Sequence, residues 1–217
     1  MKILIYDCEI IKAIQLEHEK ESKAKIKGIK YCEGFHDHDN MGISVIGTYN
    51  NWNKKSIAFV NYNAMPMAGE ALKGNIEPLA KFQDMLNECD VLVGFNNQHF
   101  DDQLIKANGF TIPENIVNYD ILVEMWRAVG LTPPFIFPTH AGFSLDKTCE
   151  ANGLRRKSGN GGNTAIDWQQ GKYQQVIDYC LNDITITTDL FREIMHSNGW
   201  ITNPKKNIKL RTLTDGE

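Results

Sequence analysis

Met1-Lys2-Ile3-Leu4-Ile5-Tyr6-Asp7-Cys8-Glu9-Ile10 is the stretch on which the fold turns. Residues 2–6 form a short apolar run, the pattern of a buried strand. A lysine followed by apolar residues also begins a secretory leader. Here Asp7 and Glu9 interrupt the run early and no small-residue cleavage site follows, so the stretch reads as a first strand and the expected compartment is the cytoplasm. Residues two apart in a strand share a face, which puts Asp7 and Glu9 side by side at its end. Burying two like charges is costly. A divalent cation relieves that cost, and a set of hard oxygens suits Mg²⁺ or Mn²⁺. Taken alone, the pair reads equally as two solvated acids at a strand end.

Working outward, residues 42–49 and 55–61 are rich in β-branched and aromatic residues, and Asn50, Asn51 and Asn53 between them point to a hairpin. The segment 12–30 is polar and lysine-rich, a surface helix or long loop. Residues 76–89 carry apolar residues at helical spacing, with Pro78 in the first turn. A buried strand is expected at 91–95, a short helix at 101–108, a strand at 116–119 and a helix at 120–129. The three prolines and two glycines of 130–143 make it a loop. Ser144 caps a helix over 144–152, the glycine-rich 155–164 is a loop, and 172–197 is helical. Three early strands, then helices alternating with strands, predict a mixed α/β layer fold. The expectation is one domain over 1–217, with a polar, mobile tail from Pro204.

Two further places carry acids. Gly94-Phe95-Asn96-Asn97-Gln98-His99-Phe100-Asp101 runs from an apolar strand through a polar turn into a helix opening at an acid. There Asp101, or its neighbour Asp102, also reads as a simple complement to a helix N-terminus. Within residues 176–191, Tyr179 and Asp183 are four apart and share a helical face. Asp183 lies close to an apolar face through Val176, Ile177, Cys180, Ile184 and Leu190, where an acid requires a partner.

The rest of the composition narrows the classes. No apolar run approaches the roughly 20 residues of a membrane helix. Five widely spaced cysteines, with no Cys-x-x-Cys pair, argue against a disulfide framework and a zinc site and for buried free thiols. His99, His140 and the Cys32–His36–His38 group lack a setting that would orient them as ligands. A net charge of −4 does not by itself suggest a nucleic-acid binder, yet basic clusters exist. They are Lys20, Lys23, Lys25, Lys27 and Lys30; Arg155, Arg156 and Lys157; and Lys205, Lys206, Lys209 and Arg211, each also readable as a solvated face.

Asp-x-Glu on the first strand, Asn-x-x-x-Phe-Asp after a later strand and Tyr-x-x-x-Asp on a C-terminal helix occur in that order. Together they resemble the DEDD superfamily of 3′→5′ exonucleases on the ribonuclease H-like fold, over nearly the whole chain. The middle motif is similar to that of the proofreading domain of family B DNA polymerases. Tyr179 matches the tyrosine-bearing branch; the histidine branch would need His at 178, where Asp178 stands. The resemblance implies three antiparallel strands followed by parallel ones, flanked by helices. It implies that Asp7, Glu9 and Asp183 bind one Mg²⁺ or Mn²⁺, that Asp7 shares a second with Asp101, and that Tyr179 orients the attacking water. It places Asn96 and Phe100 near the substrate and favours Asp101 over Asp102 by register. The expected substrate is single-stranded DNA, with RNA, or a non-cleaving nucleic-acid-binding module of the same fold, as alternatives. Arg155, Arg156 and Lys157 are assigned to substrate phosphates by their charge and the glycines beside them. Phe135, Phe137 and Phe143 read as core packing or as base-stacking residues. The lysine-rich segment before residue 40 has no counterpart in the resemblance.

Overall fold

The computed structural model describes residues 1–15, 25–65, 71–157, 159, 161–204 and 206–213. Lys20, Lys23, Ser158 and Lys205 lie outside the described residues. The strands are β1 (Ile3–Ile10), β2 (Ala13–Ile14), β3 (Tyr31–Cys32), β4 (Ile43–Asn50), β5 (Lys55–Val60), β6 (Ile76–Pro78), β7 (Val91–Gly94), β8 (Val117–Asp120), β9 (Trp200–Asn203) and β10 (Lys206–Lys209). The α-helices are α1 (His38–Met41), α2 (Phe82–Glu88), α3 (Asp101–Ala107), α4 (Ile121–Ala128), α5 (Leu145–Ala151), α6 (Thr164–Gln169) and α7 (Tyr173–His196).

Six strands form the main sheet, in the order β6-β5-β4-β1-β7-β8. β1, β4 and β5 are antiparallel neighbours, and β7 and β8 continue the sheet parallel to β1. This is the expected ribonuclease H-like mixed sheet, flanked by helices. Alternation along β1 explains its two faces. Leu4, Tyr6 and Cys8 enter one apolar core with Phe59, Phe82 and Leu104. Ile5 enters the opposite core, with Val93, Ile184 and Leu190. Asp7 and Glu9 continue the Ile5 face, so both meet the side on which α7 crosses β1 and β4.

That crossing depends on Gly47, which is paired with Asp7 across β1 and β4. A Cβ at position 47 would lie 2.8 Å from Cys180 Sγ and 3.0 Å from Ile184 Cγ1. The absent side chain is what lets α7 settle onto the sheet and bring Asp183 over Asp7. Gly47→Val is therefore expected to cost about 1–3 kcal/mol through overpacking. The loss would appear as a lower urea midpoint, and an unchanged midpoint would show that the crossing tolerates bulk.

Three local expectations change. The stretch 76–89 is not one helix: Ile76–Pro78 is an edge strand parallel to β5, a 3-10 turn follows, and α2 starts at Phe82. An edge strand tolerates Pro78, which has no N–H to donate. A further helix, α6, follows the glycine-rich loop. The tail beyond Pro204 is structured in part: β9 and β10 form a hairpin, and Ile208 and Leu210 are buried in the core with Ile201. Exposed Lys206 and Lys209 alternate with these apolar residues and hide them in a composition count. Ser144 caps α5 as expected, accepting from Lys147 N. All five cysteines are free and buried. Among the described residues no helix is long and apolar enough to cross a membrane.

Candidate active site

A cleft of about 650 Å³ opens at the end of β1. Asp7, Glu9, Asp101 and Asp183 line it, with Asn96, Phe100, Lys157 and Tyr179. Residues from β1, the β7–α3 turn, the glycine-rich loop and α7 thus reach one point in space. Asp101 is drawn in by the backbone: its Oδ1 accepts from Cys8 N at 3.0 Å, between Asp7 and Glu9. Glu9 is buried and its Oε2 accepts from Thr164 Oγ1 at 2.5 Å. Asp183 is buried, and its Oδ2 accepts from Lys157 Nζ at 2.6 Å.

The electrostatics are those of crowded acids. Burial, and then the charge of Asp183, pushes the Asp7 carboxyl up to about 7, against the pull of Lys157. Burial and Asp7 hold Glu9 well above the usual carboxylate range, with Thr164 acting in the other direction. Burial and Asp7 do the same to Asp101, opposed by the Cys8 N–H. Burial works against the charge of Lys157, but Asp183 and Asp7 outweigh it and hold the ammonium charged. Burial raises the Tyr179 phenol well above its ordinary value, so it remains a hydroxyl at neutral pH.

The donor set fits a hard divalent cation. Ligand atoms of Asp7, Glu9 and Cys180 lie within 4.8 Å of one another. Asp183 Oδ1 is a buried oxygen with no hydrogen-bond partner. Cys180 is a poor member of such a set. Its Sγ contacts the Asp7 carbonyl at 3.6 Å, and burial raises its thiol pKa well above the ordinary value. A protonated thiol is a weak ligand beside carboxylates. The oxygens of Asp7, Glu9, Asp101 and Asp183 are the better match.

Asp101 and Asp102 have different surroundings although both are buried. Asp102 accepts from Tyr6 Oη, from Asn97 Nδ2 at 3.2 Å and from Asn118 Nδ2 at 2.6 Å. It closes a polar network under α3, while Asp101 faces the other acids. Asn96 is placed by strain and by a partner the sequence does not advertise. It has φ of 68°, and its N–H donates to Asp120 Oδ1 at 2.9 Å. Asp120 also accepts from Gln98 N at 3.0 Å and Leu122 N at 2.9 Å, so it caps α4 and holds the β7–α3 turn at once. A Cβ on Gly94 would lie 2.6 Å from Asn97 Cβ, so the turn needs glycine there.

The basic loop divides. Lys157 enters the cleft. Arg156 pairs instead with Asp146 at 2.7 Å and Glu150 at 2.6 Å, and Arg155 with Asp189 at 3.3 Å. Neither arginine lines the cleft, so their expected place beside the substrate phosphates is corrected: they tie the loop to α5 and α7. The loop's glycines have a packing reason. A Cβ at Gly161 would lie 3.2 Å from Tyr179 Oη, and one at Gly159 would lie 3.3 Å from its ring. Thr164, which no motif singled out, follows this loop and reaches Glu9.

The other candidates lie elsewhere. His140 is buried against Trp126 with its Nε2 2.9 Å from the Thr132 carbonyl, which staples the proline-rich loop. Phe143 packs on the core. Phe135 and Phe137 are exposed, which corrects the core reading for both, and neither lines the cleft. Asp178 is exposed and accepts from Gln174 Nε2 at 2.8 Å.

No family model matches this sequence, and no curated protein is similar to it in sequence. Among solved structures, the chain is similar to the family B DNA polymerase of the hyperthermophilic archaeon Pyrobaculum calidifontis. The TM-score is 0.53 and the identity 15% over 89% of this chain, which spans 24% of that polymerase. At that identity the similarity is one of fold.

Proposed function

We propose that the protein is a metal-dependent 3′→5′ exonuclease of the tyrosine-bearing DEDD type, acting on single-stranded DNA and releasing nucleoside 5′-monophosphates. The observation that carries this reading is the convergence of Asp7, Glu9, Asp101 and Asp183 at one cleft, with a buried Asp183 oxygen left unpartnered. The fold shared with a DNA polymerase supports nucleic acid as the partner.

Asp7, Glu9 and Asp183 would hold one Mg²⁺ or Mn²⁺, and Asp7 and Asp101 a second. When bound, such ions lower the pKa of an attacking water and relieve charge on the phosphate and the leaving oxygen. The chain's own groups do the positioning. Thr164 donates to Glu9 and so fixes which carboxylate oxygen faces the cleft. The Tyr179 hydroxyl, kept protonated by burial, orients the water. Lys157 brings a fixed positive charge beside Asp183 and within reach of a phosphate.

Strands of DNA and RNA labelled at the 3′ or 5′ end, incubated with Mg²⁺ and with chelator, test this reading. The expected result is stepwise loss from the 3′ end of single-stranded DNA, with mononucleotide product, stopped by chelator. Shortening from the 5′ end would overturn the polarity. A preference for RNA would reassign the substrate. Binding without cleavage of any strand would favour a non-cleaving module.

A further inference from the structure

The carboxylates occupy only one pole of the cleft; the other is apolar and comes largely from the segment between β1 and β4. Ile10, Ile14, Ile26, Tyr31, Phe35 and Phe100 line it. Two of these are large apolar side chains held in solvent: Phe35 is 59% exposed and Ile26 46%. Exposed apolar groups that converge on a cavity mark a contact surface.

The wall is anchored. Lys30 N donates to Gln169 Oε1 at 2.7 Å, and Gln169 Nε2 returns to the carbonyls of Ile11 at 2.9 Å and Lys30 at 3.0 Å. These bonds tie the segment to α6 across the cleft. Phe35 stands edge-on to Phe100 at 6.3 Å, and Phe100 directly precedes Asp101. The apolar wall is therefore continuous with the acids. Lys25, whose Nζ lies 5.4 Å from the Tyr31 ring centroid, adds a cation on the same segment, and Lys27 and Lys30 are exposed beside it.

We infer that this wall is a base-stacking platform that holds the 3′-terminal nucleobase of an unpaired strand. A nucleotide has the same polarity as the cleft: an anionic phosphate at one end and a flat apolar ring at the other. With the phosphate at the acids, the base of the same nucleotide falls against Phe35, Phe100 and Ile26. A base whose face is covered by protein has left its duplex stack, so the wall selects frayed or single-stranded 3′ ends. This inference rests on the function proposed above, and it gives the segment before residue 40 a role in choosing substrate.

The test is a binding measurement that does not require cleavage. Ten-nucleotide DNA strands ending in 2-aminopurine or in an abasic residue are titrated by fluorescence anisotropy and base fluorescence, with Ca²⁺ in place of Mg²⁺. Stacking on an aromatic side chain is a sequence-tolerant contact that changes affinity by about 5- to 100-fold. The wild type is expected to quench the terminal 2-aminopurine and to bind that strand at least about fivefold more tightly than the abasic one. Phe35→Ala and Ile26→Ala, both at exposed positions that leave folding intact, should each reduce the quench, and the double variant should lose the discrimination. Equal binding of both strands by the wild type, or full discrimination by the double variant, overturns the platform. Cleavage by the wild type with no such discrimination would leave the exonuclease reading standing and remove this one. Discrimination without cleavage would do the reverse.

Discussion

Asp7→Asn should abolish strand hydrolysis, with a loss on the order of 10³-fold or more, while making the metal-free protein harder to unfold. The two effects share a cause. Asp7 is the carboxylate whose charge bears on Glu9, Asp101 and Lys157, and it in turn feels Asp183. An amide of the same shape leaves Gly47 and Cys180 their packing but withdraws the central negative charge. The affinity for divalent cations falls with it, and so does catalysis. Without metal, however, that charge is a burden, because like charges in a buried cluster repel. Removing it relieves Glu9, Asp101 and Asp183 at once. Hydrolysis of a 3′-labelled strand and a urea titration in chelator at pH 8, made on the same preparation, read both signs. A variant that is inactive because it is misfolded would lose stability as well. Activity within tenfold of the wild type would remove Asp7 from the centre of the site.

The contrast between Asp7 and Asp102 shows which parts of this molecule are legible in its sequence. β1, β4, β5, β7 and α7 are written in local periodicity, and that places Asp7 and Glu9 on one face and Asp183 beside an apolar face. Asp101 and Asp102 are a harder pair. They are adjacent on α3 and both buried, and only Tyr6, Asn97 and Asn118 separate their roles. Those partners come from three different elements, so no local pattern records them. Arg155, Arg156 and Lys157 form one charge run, yet each turns to a different acid, because Asp146, Glu150, Asp183 and Asp189 lie on two separate helices. Asp120 reads as an ordinary helix cap; its second task at Asn96 and Gln98 arises only when β7 and β8 are side by side. The hairpin after α7 was obscured by its own lysines. The apolar pole of the cleft was invisible for a related reason: Tyr31, Phe35 and Phe100 are distant in sequence and scattered among polar residues.

Metal-free protein should lose stability as the pH rises from about 4 to about 7, the reverse of ordinary acid denaturation, and Mg²⁺ should remove that loss. The Asp7 carboxyl rises from its ordinary 3.8 to about 7 in the folded chain, so folding favours its protonated form. The stabilisation is complete below the unfolded value and is lost as pH climbs through the folded one. A shift of that size corresponds to a few kcal/mol, at about 1.4 kcal/mol per tenfold in proton affinity. Glu9 and Asp101 are displaced in the same direction and extend the fall toward higher pH. Lys157 is raised above its ordinary 10.5, so its contribution is constant throughout this window and fades only at more alkaline pH. Divalent cations bind the deprotonated acids in competition with protons, so their stabilising effect grows over the same range. At one hundred times its dissociation constant an ion adds about 2.7 kcal/mol. Urea midpoints at pH 5, 6, 7 and 8, in chelator and in Mg²⁺, should therefore diverge: a falling series without metal and a level or rising one with it. Asp7→Asn should flatten the first series and narrow the gap to the second. A metal-free midpoint that rises from pH 5 to pH 8 would mean that these carboxylates are satisfied by the protein itself, and would take away the physical reason for a cation among them.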